Sequence, residues 1–264
     1  MGFLRKNITW VTTPTLIVLF IAGWHFYVVW FEVSKFILPT PGSVVDGLVE
    51  LFDTPSTYKH TWITVYETIS GFAIASIIGI SLGALLGKVR WLEKALNPFI
   101  IATQVVPKVA LIPLFILWFG FGPESKIVIS AVIAFFPILT NTLLGVKSVD
   151  FGHKDIMISL NASKWQTFLL LEFPSALPAI LTGLEVGIVL AIIGAVVGEY
   201  LGGSEGLGYL AVATLSAYKV NMLFAVIILL TVVGFALYAA MAGVRRFIIP
   251  WHESVLIERQ KAAG

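Results

Sequence analysis

The chain of 264 residues has no cysteine and few charged residues. Without thiols it forms no disulfide and no thiolate metal site. Charged residues make up 12% of the sequence and hydrophobic residues 58%, whereas an ordinary soluble domain is about 25% charged. Because a soluble domain does not tolerate this balance, the composition indicates an integral membrane protein.

The common catalytic motifs are also missing. There is no G-x-x-x-x-G-K-[S/T] phosphate loop, no H-E-x-x-H zinc motif and no G-x-S-x-G nucleophile elbow, so those routes to ATP hydrolysis and other hydrolytic chemistry are excluded. We therefore expect no enzymatic activity, no catalytic residue, and no metal or cofactor bound by this chain. The net charge of +2 gives no reason to expect a nucleic-acid partner. The four histidines are scattered and predict no site: His25, His60, His153 and His252.

Long stretches without charge predict membrane spans. A spanning helix needs about 20 apolar residues, and helices satisfy the backbone where there is no water. We expect an all-α membrane protein with one domain over residues 15–248, flanked by an N-terminal segment, 1–14, and a tail, 249–264. The six predicted spans are residues 15–32, 64–87, 97–119, 127–146, 176–198 and 221–244.

The distribution of lysine and arginine predicts the orientation. If the N-terminus is cytoplasmic, the inside segments contain twelve of these residues and the outside segments contain four. Positive charge is enriched on the cytoplasmic side of membrane proteins. We therefore expect both termini, and the charged segment 149–175, in the cytoplasm.

Segment 149–175 is predicted to form two short helices. The first has an apolar face at helical spacing, made by Ile156, Met157 and Leu160. Asn161 follows, and asparagine readily adopts the left-handed conformation that ends a helix. Such a helix lies either in the lipid headgroups or in a cytoplasmic partner.

The second short helix has its own start signal. Ser163 and Gln166 fit a capping box, in which the two side chains satisfy each other's free backbone amides. Pro174 is expected to interrupt this helix before the fifth span.

This segment resembles the EAA loop of ABC importer permeases. The family pattern reads roughly E-A-A-x-x-L-G-A-S-x-x-x-x-F, and the loop's coupling helix inserts into a groove of the ATPase subunit. Asp155 stands at the glutamate position, and Asn161 stands at the glycine. The resemblance implies that the ATPase-coupling residues are Asp155, Ile156, Met157, Leu160, Asn161, Ala162 and Ser163.

Three other segments carry the same resemblance in the same order. They are LPTP at 38–41, PKVALIP at 107–113, and the segment from Glu199 to GLGYL at 206–210. They resemble permeases that import nitrate, taurine, alkanesulfonates or bicarbonate, and imply the type I ABC importer fold. The implied partners are a second copy of the chain, two ATP-binding cassette subunits that bind ATP with Mg²⁺, and an extracytoplasmic binding protein. The implied location is a bacterial plasma membrane.

Three ionisable residues lie within predicted spans: Glu67, Lys108 and Glu185. A charge at the centre of a bilayer costs about 2.5–3.5 kcal/mol on insertion scales, so it normally faces the protein interior. Lys108 and Glu185 are predicted at similar depth, so they either form an ion pair or contact the substrate.

The two glutamates also suggest a substrate class. In the related anion importers arginine commonly stands at the positions of Glu67 and Glu185, and a carboxylate there disfavours a small anion. We therefore expect a neutral or cationic solute, such as a vitamin precursor. Two alternatives to an ABC permease remain open: an ion-coupled secondary transporter that uses the three ionisable residues as a relay, and a non-transporting membrane scaffold.

Glycine-rich segments complete the candidate sites. Glu199, Gly206 and Gly208 are predicted to form a gate or hinge, with Glu199 capping or gating it. Four glycines at four- and eight-residue spacing in the second span predict a close helix contact: Gly71, Gly79, Gly83 and Gly87.

Overall fold

The computed structural model describes residues 2–250, with side chains from residue 12 onward apart from Phe151. All regular structure in this range is helical. The predicted tail beyond residue 250, including His252, lies outside the described residues. The helices are α1 (Gly2–Trp30), α2 (Pro41–Asp53), α3 (Pro55–Lys88), α4 (Arg90–Val105), α5 (Ile112–Phe119), α6 (Pro123–Lys147), α7 (Phe151–Ser159), α8 (Lys164–Thr167), α9 (Phe173–Gly202), α10 (Leu207–Ser216) and α11 (Val220–Ile248).

Five of the six predicted spans are continuous helices that are long and apolar enough to cross a membrane. They correspond to α1, α3, α6, α9 and α11, and most extend several residues beyond the charge-free stretches. For example, α1 begins at Gly2 and α3 begins at Pro55, thirteen and nine residues before the predicted starts. Absence of charge therefore located the middle of each span better than its ends.

The third predicted span, 97–119, is broken. Its two limbs, Arg90–Val105 and Lys108–Phe119, meet at an angle of 83°. Pro107 lacks a backbone N–H and disfavours the helical conformation in the residue before it. Val106 is accordingly extended, with φ −61° and ψ 125°, and a 3₁₀ turn at Lys108–Leu111 starts the second limb.

The packed centre of the molecule is formed by α3, α6 and α9. The four glycines of α3 face α6, as predicted, and a β-carbon at each would lie 2.5–2.9 Å from the neighbouring helix. The close neighbours on α6 include Ser130, Ile138, Thr142 and Val146. Small residues at this interface let the two helices approach closely enough for backbone and side chains to pack directly.

The predicted interruption at Pro174 is wrong. The chain remains helical from Lys164 to Gly202, with a π turn at Phe168–Glu172 between α8 and α9. Pro174 lies in the first turn of α9, where a missing N–H costs least. The wider turn accommodates the proline without ending the helix.

Two helices were not predicted, α2 and α10, and both lie at the end of the molecule opposite the α7–α8 hairpin. Thr40 caps α2 by accepting a hydrogen bond from the amide of Ser43, and Pro41 occupies the first turn. Both helices pack on α11 in an apolar cluster that includes Leu51, Leu207 and Val226. This end therefore has its own small core.

Candidate functional site

The α7–α8 hairpin has the predicted local geometry. The Ser163 hydroxyl accepts a hydrogen bond from the Gln166 amide at 3.2 Å, and the Gln166 side chain accepts one from the Ser163 amide at 2.8 Å. Asn161 is left-handed, with φ 54°. The amide of Ala162 donates to the Met157 carbonyl at 3.0 Å, which closes the end of α7. The capping box and the asparagine stop are thus confirmed.

The hairpin places apolar side chains on its surface. Ile158 and Leu160 are each 71% exposed, and Ile156 and Trp165 are also exposed. The seven predicted coupling residues follow one another along α7 and the turn after it, where Met157 and Ala162 are half-buried. An exposed apolar tip held by caps at both helices is suited to insertion into a partner surface.

Of the two alternatives predicted for Lys108 and Glu185, the ion pair between them is not formed. Glu185 instead binds Arg245 of α11, with 2.8 Å between Oε2 and Nη1. The prediction considered depth but not direction around the helix. Leu190 of α9 faces the Lys108 cavity. It is five positions after Glu185, which places the two side chains about 140° apart around the helix.

Lys108 lies at mid-depth beside the break in the third span. Its ammonium nitrogen is 4.9 Å from the centre of the Phe136 ring, a distance suited to a cation–π contact. No described carboxylate lies within 4.0 Å of it. It lines a cavity of about 440 Å³ together with Gln104, Phe136 and Thr140.

Glu199 connects three helices at the end opposite the hairpin. Its carboxylate accepts a 2.6 Å hydrogen bond from the Thr64 hydroxyl of α3 and another of 2.6 Å from the amide of Gly208 in α10. The Thr64 hydroxyl also accepts from the Leu207 amide at 2.8 Å. Of the two predicted roles, the structure shows the capping role, because Glu199 satisfies the N-terminus of α10.

Gly206 makes this arrangement possible. Its φ is 100°, a conformation that favours glycine, and a β-carbon there would overlap the carboxyl group of Glu199. The Gly206 amide donates to Nδ1 of His60 at 3.0 Å. The predicted hinge residues Gly206 and Gly208 therefore form a tight turn around one carboxylate.

Glu67 lies next to Glu199 and is 3% exposed. Its Oε2 has no hydrogen-bond partner among the described residues. It lines a cavity of about 260 Å³ with Lys126, Tyr66 and Glu205. Glu67, Lys108 and Glu185 thus lie in three separate environments, and the described residues form no relay between them.

Lys126 and His60 were missed as site residues. Lys126 immediately precedes a charge-free stretch and was therefore assigned to an outside loop, yet it is 2% exposed. Its ammonium group donates to the carbonyls of Phe121 at 2.6 Å and Gly202 at 2.8 Å. The sequence signal for Lys126 was its position as a basic residue directly before a span. The glycine-rich segment that supplies one of its carbonyl partners, at Gly202, lies elsewhere in the chain.

Comparison with known proteins places these features in a family. Residues 75–250 match the family described as the binding-protein-dependent transport system inner membrane component. The formylaminopyrimidine transport permease protein ThiX of Halalkalibacterium halodurans is 34% identical over 83% of this chain and 88% of its own length. The riboflavin transport system permease protein RibX of Chloroflexus aurantiacus is 34% identical over 91% of this chain and 90% of its own.

Relatives with other named solutes are also similar. The putative aliphatic sulfonates transport permease protein SsuC of Bacillus subtilis is 33% identical over 95% of this chain and 91% of its own length. Among solved structures, the inward-facing MetNI methionine ABC transporter matches with a TM-score of 0.62 and 19% identity. That match covers 72% of this chain and 94% of the other, and supports the predicted type I ABC importer permease fold.

Proposed function

The chain belongs to the family of binding-protein-dependent transport system inner membrane components, and we propose that two copies of it enclose the pathway by which a small solute is imported. It is a permease subunit of an ABC importer. ATP with Mg²⁺ binds to two partner ATPase subunits, and an extracytoplasmic binding protein delivers the solute. The observation that carries this assignment is the exposed apolar hairpin, since a permease without its own phosphate loop needs a contact with the ATPase.

The hairpin is the proposed contact with the ATPase. Its tip exposes Ile158 and Leu160, and the capping box fixes the angle at which α8 leaves the turn. Because α8 continues into α9 without a break in the helix, a displacement of the tip is transmitted to a membrane span. This rigid connection supports coupling between ATPase closure and rearrangement of the pathway.

The need for a second copy is supported by α4. None of its residues is buried within the single chain, although its surface includes exposed Phe99, Ile101 and Val105. The break that follows α4 exposes irregular backbone at membrane depth, which is tolerated where it lines a cavity or is covered by protein. In the proposed homodimer this break and the adjacent end of α4, with Ile101 and Val105, lie along the pathway.

The Lys108 cavity is the proposed solute contact. Broken helices at mid-depth form the binding sites of many transporters, and here the break brings a lysine, a glutamine and an aromatic ring to one cavity. The Lys108 ammonium group favours acceptor oxygens, ring nitrogens or a negative charge. Since Glu185 is paired with Arg245, the earlier reason to expect a cationic solute is weakened, and we propose a neutral solute rich in acceptor atoms or an anionic solute.

The alternative functions receive less support. An ion-coupled relay requires Glu67, Lys108 and Glu185 to communicate, whereas the described residues hold them apart with different partners. A scaffold gives no reason for an open, partly polar cavity at mid-depth. Uptake by the isolated chain in a proton or sodium gradient, without an ATPase, would support the relay and contradict the proposed function.

Copurification tests the hairpin contact. Leu160→Asp is expected to abolish recovery of the ATPase with the tagged permease, because a carboxylate at the apolar tip opposes burial. The matched control is Ile37→Asp, which changes an aliphatic residue that is 75% exposed at the opposite end. Equal recovery from wild type and both variants would refute the hairpin contact.

The absence of cysteine provides a direct test of orientation. Asn161→Cys and Ile37→Cys each introduce one thiol into a chain that has none. A membrane-impermeant maleimide applied to intact spheroplasts is expected to label the Ile37 variant and to label the Asn161 variant only after permeabilisation. The reverse pattern would place the hairpin outside the cell and exclude a cytoplasmic ATPase as its partner.

A further inference from the structure

A basic cavity of about 690 Å³ lies at the hairpin end of the molecule. It is enclosed by the turn between α3 and α4, the end of α6, and the α7–α8 hairpin. Six basic side chains line it: Lys88, Arg90, Lys94, Lys147, Lys154 and Lys164. Residues far apart in sequence contribute, so the concentration of positive charge is produced by the fold.

The carboxylates of the cavity are already engaged. Glu93 binds Lys147 at 2.7 Å, and Glu172 binds Lys88 at 3.0 Å and Lys154 at 3.7 Å. With six cations against these two carboxylates, the lining has four positive charges in excess. Mutual repulsion of this kind is relieved when an anion binds among the cations.

Three of the cations have no ion-pair partner among the described residues: Arg90, Lys94 and Lys164. Arg90 and Lys94 belong to the start of α4, whereas Lys164 is the first residue of α8. An anion held by all three would connect the hairpin to the membrane domain.

The depth of the cavity points to a lipid. Lys88 and Lys147 are the last residues of α3 and α6, so the cavity lies where two spans leave the hydrocarbon. Trp91, which is 72% exposed, follows Arg90 at the level where tryptophan typically marks a membrane boundary. The first turns of α4 begin at this point, and exposed Trp91 and Leu96 offer acyl chains a surface apart from the end of α4 that faces the pathway.

We propose that this cavity binds the phosphate headgroup of an anionic phospholipid, with the acyl chains along the first turns of α4. Basic pockets at span ends suit such headgroups, and arginine binds two phosphate oxygens at once. A free phosphate would satisfy the charge but would make no use of the adjacent apolar face. This proposal concerns lipid binding alone and does not depend on the transport function.

Native mass spectrometry of the full-length chain in detergent tests the proposal. The probes are short-chain phosphatidylglycerol, phosphatidylcholine of the same chain length, and inorganic phosphate. We expect wild type to bind phosphatidylglycerol at least about tenfold more tightly than phosphatidylcholine, since each basic side chain near an anionic headgroup strengthens binding about fivefold. Inorganic phosphate is expected not to displace the lipid.

Two triple variants give the matched comparison. Arg90→Gln/Lys94→Gln/Lys164→Gln is expected to lose the preference for phosphatidylglycerol. Lys35→Gln/Lys59→Gln/Lys219→Gln removes three positive charges at the opposite end and is expected to keep it. Size-exclusion chromatography shows whether each variant is folded. If a triple variant aggregates, its three component single substitutions are measured instead.

Several outcomes would overturn the proposal. Equal binding of the two lipids by wild type would show that the cavity has no headgroup preference. Equal losses in the two triple variants would show a general effect of net charge. Displacement of the lipid by inorganic phosphate would assign the cavity to a free anion, and unchanged lipid binding with loss of ATPase recovery in the first variant would assign it to the ATPase.

Discussion

The Thr64 hydroxyl of α3 donates a 2.6 Å hydrogen bond to the carboxylate of Glu199 at the end of α9. The same carboxylate accepts from the amide of Gly208 at the start of α10. One buried side chain therefore fixes the relative positions of two spans and the short helix that follows the second. Any rearrangement of this end of the molecule has to break or carry along these contacts.

Glu199→Gln is expected to destabilise the protein. An amide can keep only part of the arrangement, because its NH₂ group meets the donor amide of Gly208, and loss of buried hydrogen bonds of this kind costs about 1–3 kcal/mol. Thermal unfolding in detergent measures the change. The control is Glu205→Gln, which removes a partly exposed pair with Lys59; an equal fall in Tm for both variants would contradict the special role of Glu199.

The ion pair of Glu185 and Arg245 predicts that removing one partner costs more stability than removing both. Glu185→Gln leaves Arg245, whose side chain is 18% exposed, without its carboxylate, and breaking one side of a largely buried pair costs up to about 3–5 kcal/mol. Adding Arg245→Met to this variant is expected to recover part of the stability, because the charge that faced the carboxylate of Glu185 is removed as well. Thermal unfolding of wild type, the two single variants and the double variant gives the coupling energy.

The exposed pair of Lys219 and Glu50 is the control for that cycle. Its side chains are about half exposed, so Lys219→Met is expected to change stability by no more than about 1 kcal/mol. A double variant at 185 and 245 that is less stable than both single variants would contradict the prediction. It would show that Arg245 stabilises the protein through contacts other than the one with Glu185.

Local signals in the sequence predicted local structure well. Hydropathy located the middle of five spans, and the residue types at 161, 163 and 166 predicted the hairpin turn, because capping depends on neighbours in the chain. Contacts between residues that are far apart in the sequence were harder to predict. Nothing local shows that Glu185 faces Arg245 or that Lys126 is folded back onto the carbonyl of Gly202.

The broken third span shows the same division. Proline disfavours the helical conformation at its own position and in the residue before it, so Pro107 is compatible with a break. However, proline is tolerated in other spans of this chain, such as α6 with Pro137. Whether a proline breaks or only bends a helix depends on what surrounds it. Pro137 lies inside α6, which is packed, and Pro98 lies inside α4, which has no buried residue, and neither proline breaks its helix.

Lys108 predicts a selective effect on transport. Lys108→Met keeps the length of the side chain but removes its charge, and is expected to reduce uptake of the solute retained by the partner binding protein by about tenfold, the effect of losing about 1.4 kcal/mol. Lys108→Arg is expected to retain more activity than Lys108→Met. Uptake into proteoliposomes containing the whole transporter measures both.

The ATPase rate of the same preparations separates the explanations. If Lys108 contacts the solute, basal ATP hydrolysis and ATPase recovery stay near wild type in both variants. A parallel loss of uptake and basal ATP hydrolysis would instead assign Lys108 to folding or coupling.

The capping box predicts a defect in docking. Ser163→Ala removes the acceptor for the Gln166 amide, and loss of such a cap costs about 0.5–2 kcal/mol. Because Ser163 caps the first turn of the helix that continues into α9, we expect this turn to open and the affinity for the ATPase to fall. Ser175→Ala is the control, because Ser175 is exposed in α9; titration of the ATPase onto immobilised permease gives both affinities.

Replacing glycine with alanine is expected to change the stability in opposite directions at Gly71 and Gly23. At Gly71 a β-carbon would lie 2.5–2.7 Å from the Ser130 side chain and the Ile127 carbonyl, so Gly71→Ala forces α3 away from α6 and is expected to cost about 1–3 kcal/mol. At Gly23 of α1 no described atom outside the neighbouring backbone of the same helix lies within 4 Å of the added β-carbon, so Gly23→Ala is expected to be neutral or to stabilise the helix by up to about 1 kcal/mol. Thermal unfolding of the two variants side by side tests both signs, and a stabilising effect at Gly71 would show that α3 and α6 have room between them.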